Sequence, residues 1–205
     1  ILDPATTIES FAQACYTEQG DFITAPFALK HIARDAHEPA VTFTLARDGL
    51  VAEAYDQKPL CITKTFSIHD GSSEVSVAYA LRPGGAQDFS AWFGVELNLT
   101  LLAGDDPLRS VVFPGDPPRA VLMAERAAVQ GIAAFDLRDA WNGFGVRFEL
   151  DPAADVWMFP IETVSLSDDG LERTYQGTAM LLHWRVALQP GQEVRRAVRL
   201  RLYRC

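Results

Sequence analysis

The residues best suited to chemistry lie between Trp157 and Trp184, where the sequence reads WMFPIETVSLSDDGLERTYQGTAMLLHW. Most of this stretch is typical of half-buried strand, yet charged, amide and aromatic side chains interrupt its apolar residues. Carboxylates and amides bind hydroxyl groups, and flat rings cover the apolar faces of sugar rings. The pattern predicts either a sheet face that holds a polyhydroxylated ligand or polar contacts closed inside a sandwich. The polar residues concerned are Glu162, Glu172, Arg173, Tyr175, Gln176 and His183.

Trp141 is the best candidate for stacking on a sugar ring. It lies within Asp139-Ala140-Trp141-Asn142-Gly143, a composition typical of a turn. Trp92 and Trp184 instead lie in apolar runs and are predicted to be core residues. The alternative for Trp141 is that it caps the end of a sandwich. The carbohydrate-binding residues that we predict are Trp141, Glu172, Tyr175 and Gln176.

Two kinds of sugar chemistry are compatible with these residue types. Glycosidic cleavage needs an acid and a base or nucleophile on either side of the scissile bond. Nothing in the sequence alone places two of its strand-borne glutamates face to face. An aldose epimerase instead uses a histidine and a carboxylate, a role open to His183 with Glu96 or Glu172. The strand-borne glutamates are Glu96, Glu149, Glu162 and Glu172.

Other chemistries lack their sequence patterns. The chain has no nucleophile elbow, no Walker loop and no complete dinucleotide fingerprint, and we predict no cofactor. His31 and His37 are six residues apart, near Asp35 and Glu38, so a metal site in this segment is conceivable. A polar loop is the preferred interpretation, and we predict no metal.

Size and charge narrow the class of protein. At 205 residues, with 48% hydrophobic and 22% charged residues, the chain suits one globular domain over residues 1–205. The net charge of −9 argues against binding to nucleic acid or to an anionic membrane surface. The arginines of VRRAVRLRLYR (194–204) alternate with apolar residues and predict the solvated face of an edge strand.

The cysteines bear on the cellular compartment of the protein, and the first residue bears on whether the chain is complete. Cys15, Cys61 and Cys205 cannot all pair with one another and show no ligand spacing, which favours a reducing cytoplasm. No run of about 18 apolar residues predicts a membrane span. Because the chain starts at Ile1 with no Met, we expect a fragment of a longer protein or a trimmed product.

The elements that must position these residues are nearly all strands. Only residues 4–16 carry helical periodicity, with Thr6 or Thr7 as the cap. Residues 41–55 predict a hairpin that turns at Asp48-Gly49. Further turns are predicted at Asp70-Gly71, Pro83-Gly84-Gly85 and Asp168-Asp169-Gly170.

The second half continues the period-two pattern. A long strand is predicted over 89–103, a loop over 104–118, and strands over 132–140, 145–150 and 156–166. About a dozen strands at this spacing predict an all-β fold, a large antiparallel two-sheet sandwich with one short N-terminal helix.

Three segments resemble the C-terminal β-sandwich region of family-57 glycoside hydrolases, of the α-amylase and 4-α-glucanotransferase kind. TTIESFAQACYTEQGDFITAPF (6–27) is similar to the family's entry segment, which carries a Glu-x-Gly-Asp-Phe run. FGVELNLTLL (93–102) resembles its Val-Glu-x-Asn strand. FPIETVSLSDDGLERTYQG (159–177) is similar to its Pro-x-Glu-Thr-Val-Ser and Glu-x-x-Tyr-Gln-Gly pattern.

The resemblance implies a galactose-mutarotase-like supersandwich, packed beside a catalytic barrel of the same protein that carries the catalytic carboxylates. It implies a non-catalytic accessory domain of an α-glucan-active enzyme, supporting the barrel and binding α-glucan or another carbohydrate. The alternatives are an aldose epimerase-like sugar enzyme and a purely structural interaction domain whose apolar edge was covered by the barrel.

Overall fold

A computed structural model describes residues 1–34, 40–53, 56–167 and 170–205, and strands make up most of them. Helix α1 (Ile8–Ala12) is shorter than the predicted segment 4–16. Thr7 caps it, since its hydroxyl accepts from the Ser10 amide at 3.2 Å while the Thr7 amide donates to the Ser10 hydroxyl at 3.0 Å. The prediction of an all-β antiparallel fold with one short helix is confirmed.

Eleven strands follow α1 in the described part of the chain. They are β1 (Ala28–Arg34), β2 (Ala40–Glu53), β3 (Asp56–His69), β4 (Glu74–Pro83), β5 (Phe89–Leu99), β6 (Arg109–Phe113), β7 (Arg119–Leu122), β8 (Ala127–Asp139), β9 (Phe144–Ser167), β10 (Gly170–Leu188) and β11 (Val194–Arg204).

The strands distribute over two compact units of the chain. Unit 1 comprises Ile1–Gly94, Glu149–Pro152 and Trp184–Arg201, and unit 2 comprises Val95–Phe148, Ala153–His183 and Leu202–Cys205. Strands β5, β9, β10 and β11 contribute residues to both units.

Unit 1 contains an antiparallel sheet in the order β1-β2-β3-β4-β11. Every second residue of β3 and β4 faces its core, where Leu60 and Leu81 are almost fully buried. The Phe93 ring lies 5.4 Å from the Tyr79 ring and 5.9 Å from that of Trp184. Burial raises the pKa of Tyr79 to about 12. Trp184 is a core residue as predicted, whereas the same prediction for Trp92 is wrong, because Trp92 is only half-buried.

Unit 2 contains strands in the order β9-β8-β6-β7, with β10 paired to β9. Its core centres on three buried phenylalanine rings. The Phe135 centroid lies 5.5 Å from that of Phe113 and 4.6 Å from that of Phe148, which stacks on it. These contacts hold the β6–β8–β9 part of the sheet, which carries Trp141 at one end.

The predicted hairpin at Asp48-Gly49 is wrong, because β2 runs through both residues and pairs with β3 along its whole length. Gly49 serves close packing instead. A Cβ there would lie 2.3 Å from the Asp21 carboxylate and 2.7 Å from the Phe22 ring. Asp21 accepts hydrogen bonds from the Leu50 amide at 3.0 Å and from Arg47 at 2.7 Å.

Three further predictions differ from the structure. The predicted loop 104–118 contains β6, whose short apolar run is masked by flanking glycine, aspartate and proline. Segments 145–150 and 156–166 belong to the single strand β9, 24 residues long. Strand β11 lies between β4 and β9 in the strand order, so it is not an edge strand, although its arginines alternate with the buried Val198 as predicted.

The turns at Asp70-Gly71 and Pro83-Gly84-Gly85 are confirmed, and Gly71 adopts a φ of +70° that glycine favours. His37, Asp35 and Glu38 lie outside the described residues, as do Asp168 and Asp169. Over the ranges that are described, no cluster of metal-ligating side chains occurs and no helix is long and apolar enough to cross a membrane.

Candidate functional site

Trp141 lies in the turn between β8 and β9 and is 69% exposed. The turn consists of residues 140–143, and Gly143 completes it with a φ of +72°, a conformation that glycine adopts without strain. The prediction that this segment forms a turn is confirmed. An indole this exposed presents an accessible aromatic face.

A buried carboxylate anchors the Trp141 turn. Asp139 is fully buried, and its carboxylate accepts from the Asn142 amide nitrogen at 3.0 Å and from the Asn142 side-chain nitrogen at 2.7 Å. The Arg109 guanidinium also donates to it, at 3.3 Å. Backbone bonds add support: the Ala140 amide donates to the Leu108 carbonyl at 2.8 Å.

The charge of Asp139 is held by these partners. Burial is the largest single influence and raises its pKa, but the hydrogen bonds from Asn142 and Arg109 together outweigh it, so the pKa of Asp139 is lowered. The Arg109 guanidinium also forms a salt bridge to the Asp106 carboxylate at 3.2 Å, so that its positive charge lies between two carboxylates. The turn is therefore anchored by several hydrogen bonds, while Trp141 itself stays exposed.

The other predicted residues lie on the β9–β10 ribbon, which we define as residues 161–166 and 170–176. Strand register places Tyr175 opposite Glu162 and Glu172 opposite Ser165. Since side chains alternate along a strand, Glu162 and Tyr175 share one face, and Glu172 lies on the other. The Arg173 guanidinium bridges to Glu162 at 3.2 Å on the first face.

Gln176 is the extra residue of a β-bulge, because the register shifts between Tyr175 and Gly177. Its side-chain nitrogen donates to the Thr163 hydroxyl at 3.2 Å. Gln176 therefore shares the face of Glu172, and this face exposes hydroxyl, carboxylate and amide groups. Its exposed polar residues are Thr163, Ser165, Glu172, Thr174 and Gln176.

Tyr175 is half-buried and packs inward. Its ring covers Gly104, where a Cβ would lie 2.6 Å from the ring. Its hydroxyl lies 2.8 Å from that of Thr178, which donates to the Met123 carbonyl at 2.6 Å. Burial is the main cause that raises the pKa of Tyr175.

The structure does not bring the four predicted residues to one surface. Trp141 precedes the first residue of β9, whereas Glu172 and Gln176 lie opposite the last part of the same strand. Tyr175 lies on the opposite face of the ribbon from Glu172. The register thus groups Glu172 with Gln176 and leaves Trp141 as a separate candidate contact.

His183 is buried and packs edge-on against Trp157, with ring centroids 4.4 Å apart. It lies on β10 eleven residues from Glu172, about 36 Å of extended strand. The pair of His183 and Glu172 considered for epimerase chemistry therefore does not converge. Glu96 is exposed on β5.

Sequence reasoning missed the residues that fix the Trp141 turn. Arg109 lay in a predicted loop, and Asp139 was noted only as part of a turn-like composition. An aspartate three residues before an asparagine at a turn was an available local signal. The contribution of Arg109, 30 residues away in sequence, depends on the β6–β8 pairing.

Comparisons with known proteins agree on the region that this chain represents. Residues 1–198 match the family model described as alpha-amylase/4-alpha-glucanotransferase, C-terminal. The chain is 30% identical over 143 residues to alpha-amylase 1 of Dictyoglomus thermophilum, covering 67% of this chain and 19% of that protein. It is 29% identical over 178 residues to a 4-alpha-glucanotransferase of Thermococcus kodakarensis, covering 87% of this chain and 22% of that protein.

Known structures show the same relationship and the fold. The 4-alpha-glucanotransferase of Thermococcus litoralis superposes with a TM-score of 0.71 at 25% identity, covering 98% of this chain and 26% of that one. A putative aldose 1-epimerase of Escherichia coli K12 superposes with a TM-score of 0.60 at 10% identity, covering 88% of this chain and 69% of that one. The predicted galactose-mutarotase-like fold is confirmed. The chain spans about a fifth of the length of the curated relatives that it matches.

Proposed function

We propose, since this chain belongs to the family of C-terminal domains of α-amylases and 4-α-glucanotransferases, that it is the non-catalytic accessory domain of a protein that acts on α-glucans. The match over residues 1–198 carries this proposal. The whole protein would hydrolyse α-glucan chains or transfer segments between them. A catalytic barrel in the same polypeptide would perform the reaction, and this chain would support it.

The positions of the carboxylates support a non-catalytic role. Two carboxylates that cleave a glycosidic bond must flank it from either side of one cleft. Glu162 and Glu172 lie on opposite faces of the β9–β10 ribbon, and Glu162 is engaged by Arg173. Glu162 and Glu172 therefore cannot act as the acid and the nucleophile on one sugar linkage.

We further propose that Trp141 binds the glucan. An aromatic ring on a rigid turn can cover the apolar face of a glucose ring, and it loses little conformational freedom when it does so. Asp139, Asn142 and Arg109 hold that turn in place before any ligand arrives. Glu172 and Gln176 on the ribbon are the second candidate contact, through hydrogen bonds to sugar hydroxyls.

Titration with maltoheptaose tests the binding proposal. In the protein that contains residues 1–205, Trp141→Ala should weaken binding about tenfold, or about 1.4 kcal/mol, because the stacking surface is lost. Trp141→Phe should retain most of the affinity, since a ring remains. Calorimetry gives the dissociation constants, and tryptophan fluorescence of the unsubstituted protein reports whether an indole is covered.

Leu102→Ala is the matched control, because Leu102 is an exposed apolar residue of a loop in the same unit. Unchanged affinity in Trp141→Ala would refute the stacking role. Separately, the complete polypeptide should release reducing ends from amylose or redistribute maltooligosaccharide lengths. Absence of both products would refute the proposed α-glucan activity.

A further inference from the structure

The core-facing side of the unit 1 sheet continues past the buried core. Along β3, alternation puts Leu60, Ile62, Lys64, Phe66 and Ile68 on one face. Leu60 and Ile62 are almost fully buried, whereas Phe66 is half-buried and Ile68 is 41% exposed. The same face therefore changes from core to solvent along a single strand.

The N-terminal segment covers the face only as far as Lys64. Phe22 lies against Gly49, where a Cβ would approach its ring to 2.7 Å. Phe27 lies beneath the Lys64 ammonium, 3.9 Å from its ring centroid. Burial lowers the pKa of Lys64, as expected for a cation partly withdrawn from water. Past Lys64 the face becomes accessible.

Strand register carries the accessible region across four strands. Ile32 lies opposite Phe43, and Phe43 lies opposite Phe66. The two phenylalanine rings stack with centroids 4.7 Å apart. Ile68 lies opposite Val75 in the next row. We call this region the open face, and its members are Leu29, Ile32, Phe43, Phe66, Ile68 and Val75.

The opposite side of the same strands is polar. Thr44 lies opposite Thr65 with their hydroxyls 3.2 Å apart, and Ser67 lies opposite Ser76. An antiparallel sheet with apolar residues on one face and polar residues on the other typically packs its apolar face against another surface. Leu29 and Ile32 are nevertheless 55% and 57% exposed. Contiguous exposed apolar residues of this kind mark an interaction surface.

The positive charge of β1, at the edge of the open face, indicates what kind of surface could bind there. Strand β1 forms the end of the strand order and carries Lys30 and Arg34, with no acidic residue from Ala28 to Arg34. Two copies paired through β1 would bring these cations together, which is unfavourable. The face therefore suits a partner surface that is apolar with acidic residues at its margin.

We infer that the open face is where the catalytic domain of the same polypeptide docks onto this domain. The inference rests on the proposed function, which places that domain in the same chain. The relatives supply the scale: this chain corresponds to 22% of the Thermococcus kodakarensis protein, so most of that protein lies outside the matched region. The docked surface would continue the unit 1 core across Phe43 and Phe66 and place acidic residues beside Lys30 and Arg34.

Footprinting of the complete polypeptide with a carbene or hydroxyl-radical reagent, read by mass spectrometry, tests the docking. Ile32, Phe66 and Ile68 should be labelled at least tenfold less than Leu102, which is 79% exposed in a loop. Ile32→Glu should raise labelling of Phe66 and Ile68, because a carboxylate at the centre of an apolar contact separates the surfaces. Leu102→Glu, the control, should change neither.

Three results would overturn the inference. One is labelling of Ile32 and Ile68 equal to that of Leu102. Another is protection that falls on dilution, which would identify a second copy as the occupant. The third is unchanged labelling of Phe66 in Ile32→Glu. A protein that shows protection but no glucan turnover would refute only the proposed activity, and an active protein without protection would refute only the docking.

Discussion

At the scale of single residues, the feature with most consequence is the buried Asp139 carboxylate. It joins β6 to the Trp141 turn through Arg109 and Asn142. A buried carboxylate without partners would have a raised pKa, whereas these donors lower the pKa of Asp139. Its negative charge therefore stabilises the folded protein.

Asp139→Asn should lower the free energy of unfolding by about 1–3 kcal/mol at pH 7, because charged hydrogen bonds are lost in a buried site. Since the folded pKa is depressed, the contribution is present above the ordinary aspartate pKa and is lost as the pH falls through the lowered value. The difference between the two proteins should therefore shrink as the pH falls below the ordinary aspartate pKa. Urea unfolding across this range measures it.

Asp70→Asn is the control, because Asp70 is exposed in the β3–β4 turn. Its effect should stay within about 0.5 kcal/mol. A difference for Asp139→Asn that is the same at pH 7 and pH 2 would show that the shape of the side chain, rather than its charge, stabilises the turn.

At the scale of elements, the Tyr175-Gln176-Gly177 segment of β10 has a packing role for each residue. Tyr175 covers Gly104, Gln176 forms the bulge, and Gly177 allows the Leu99 carbonyl of β5 to approach. A Cβ on Gly177 would lie 2.8 Å from that carbonyl oxygen. This part of the sequence pattern thus sets how β10 meets its neighbours, independently of any ligand.

Gly177→Ala should lower the free energy of unfolding by about 1–3 kcal/mol, because the backbone it meets cannot move without disturbing the strand. Gly85→Ala is the matched control, since a Cβ there would meet Pro59 at an ordinary 3.5 Å. Its effect should stay within about 0.5 kcal/mol. Chemical denaturation measures both, and equal effects would contradict the close-approach explanation.

At the scale of the whole molecule, we propose that residues 1–205 fold as one domain. Strands β5, β9, β10 and β11 each run through residues of both compact units. A unit could then unfold alone only by breaking continuous strands. Cooperative unfolding of the whole chain is the expected consequence.

The double variant Trp141→Phe, Trp157→Phe tests this, because its remaining tryptophans, Trp92 and Trp184, report on unit 1 alone. Its unfolding midpoint by fluorescence should coincide with the midpoint by far-UV circular dichroism, which reports on all strands. Two separated midpoints would mean that the units unfold independently.

Local sequence determined the features that depend on neighbours in the chain. Period-two patterns indicated the strands. Short glycine-containing sequences indicated the turns at Asp70-Gly71 and Pro83-Gly84-Gly85. Both signals are local, because alternation and turn chemistry act over a few residues. The quoted segments indicated the family and, through it, the fold. Trp141 was correctly predicted in a turn.

Tertiary structure alone decided what depends on residues far apart in sequence. Asp48-Gly49 carries a hairpin signal, yet Asp21 and Phe22 pack on Gly49 and β2 continues through it. Register alone pairs Glu162 with Tyr175 and Glu172 with Ser165. Pairing between β6 and β8 brings Arg109 to Asp139. Phe22 and Phe27 cover the sheet only as far as Lys64, so Phe66 is only half-buried. Such contacts arise from strand pairing and packing, which local periodicity does not encode.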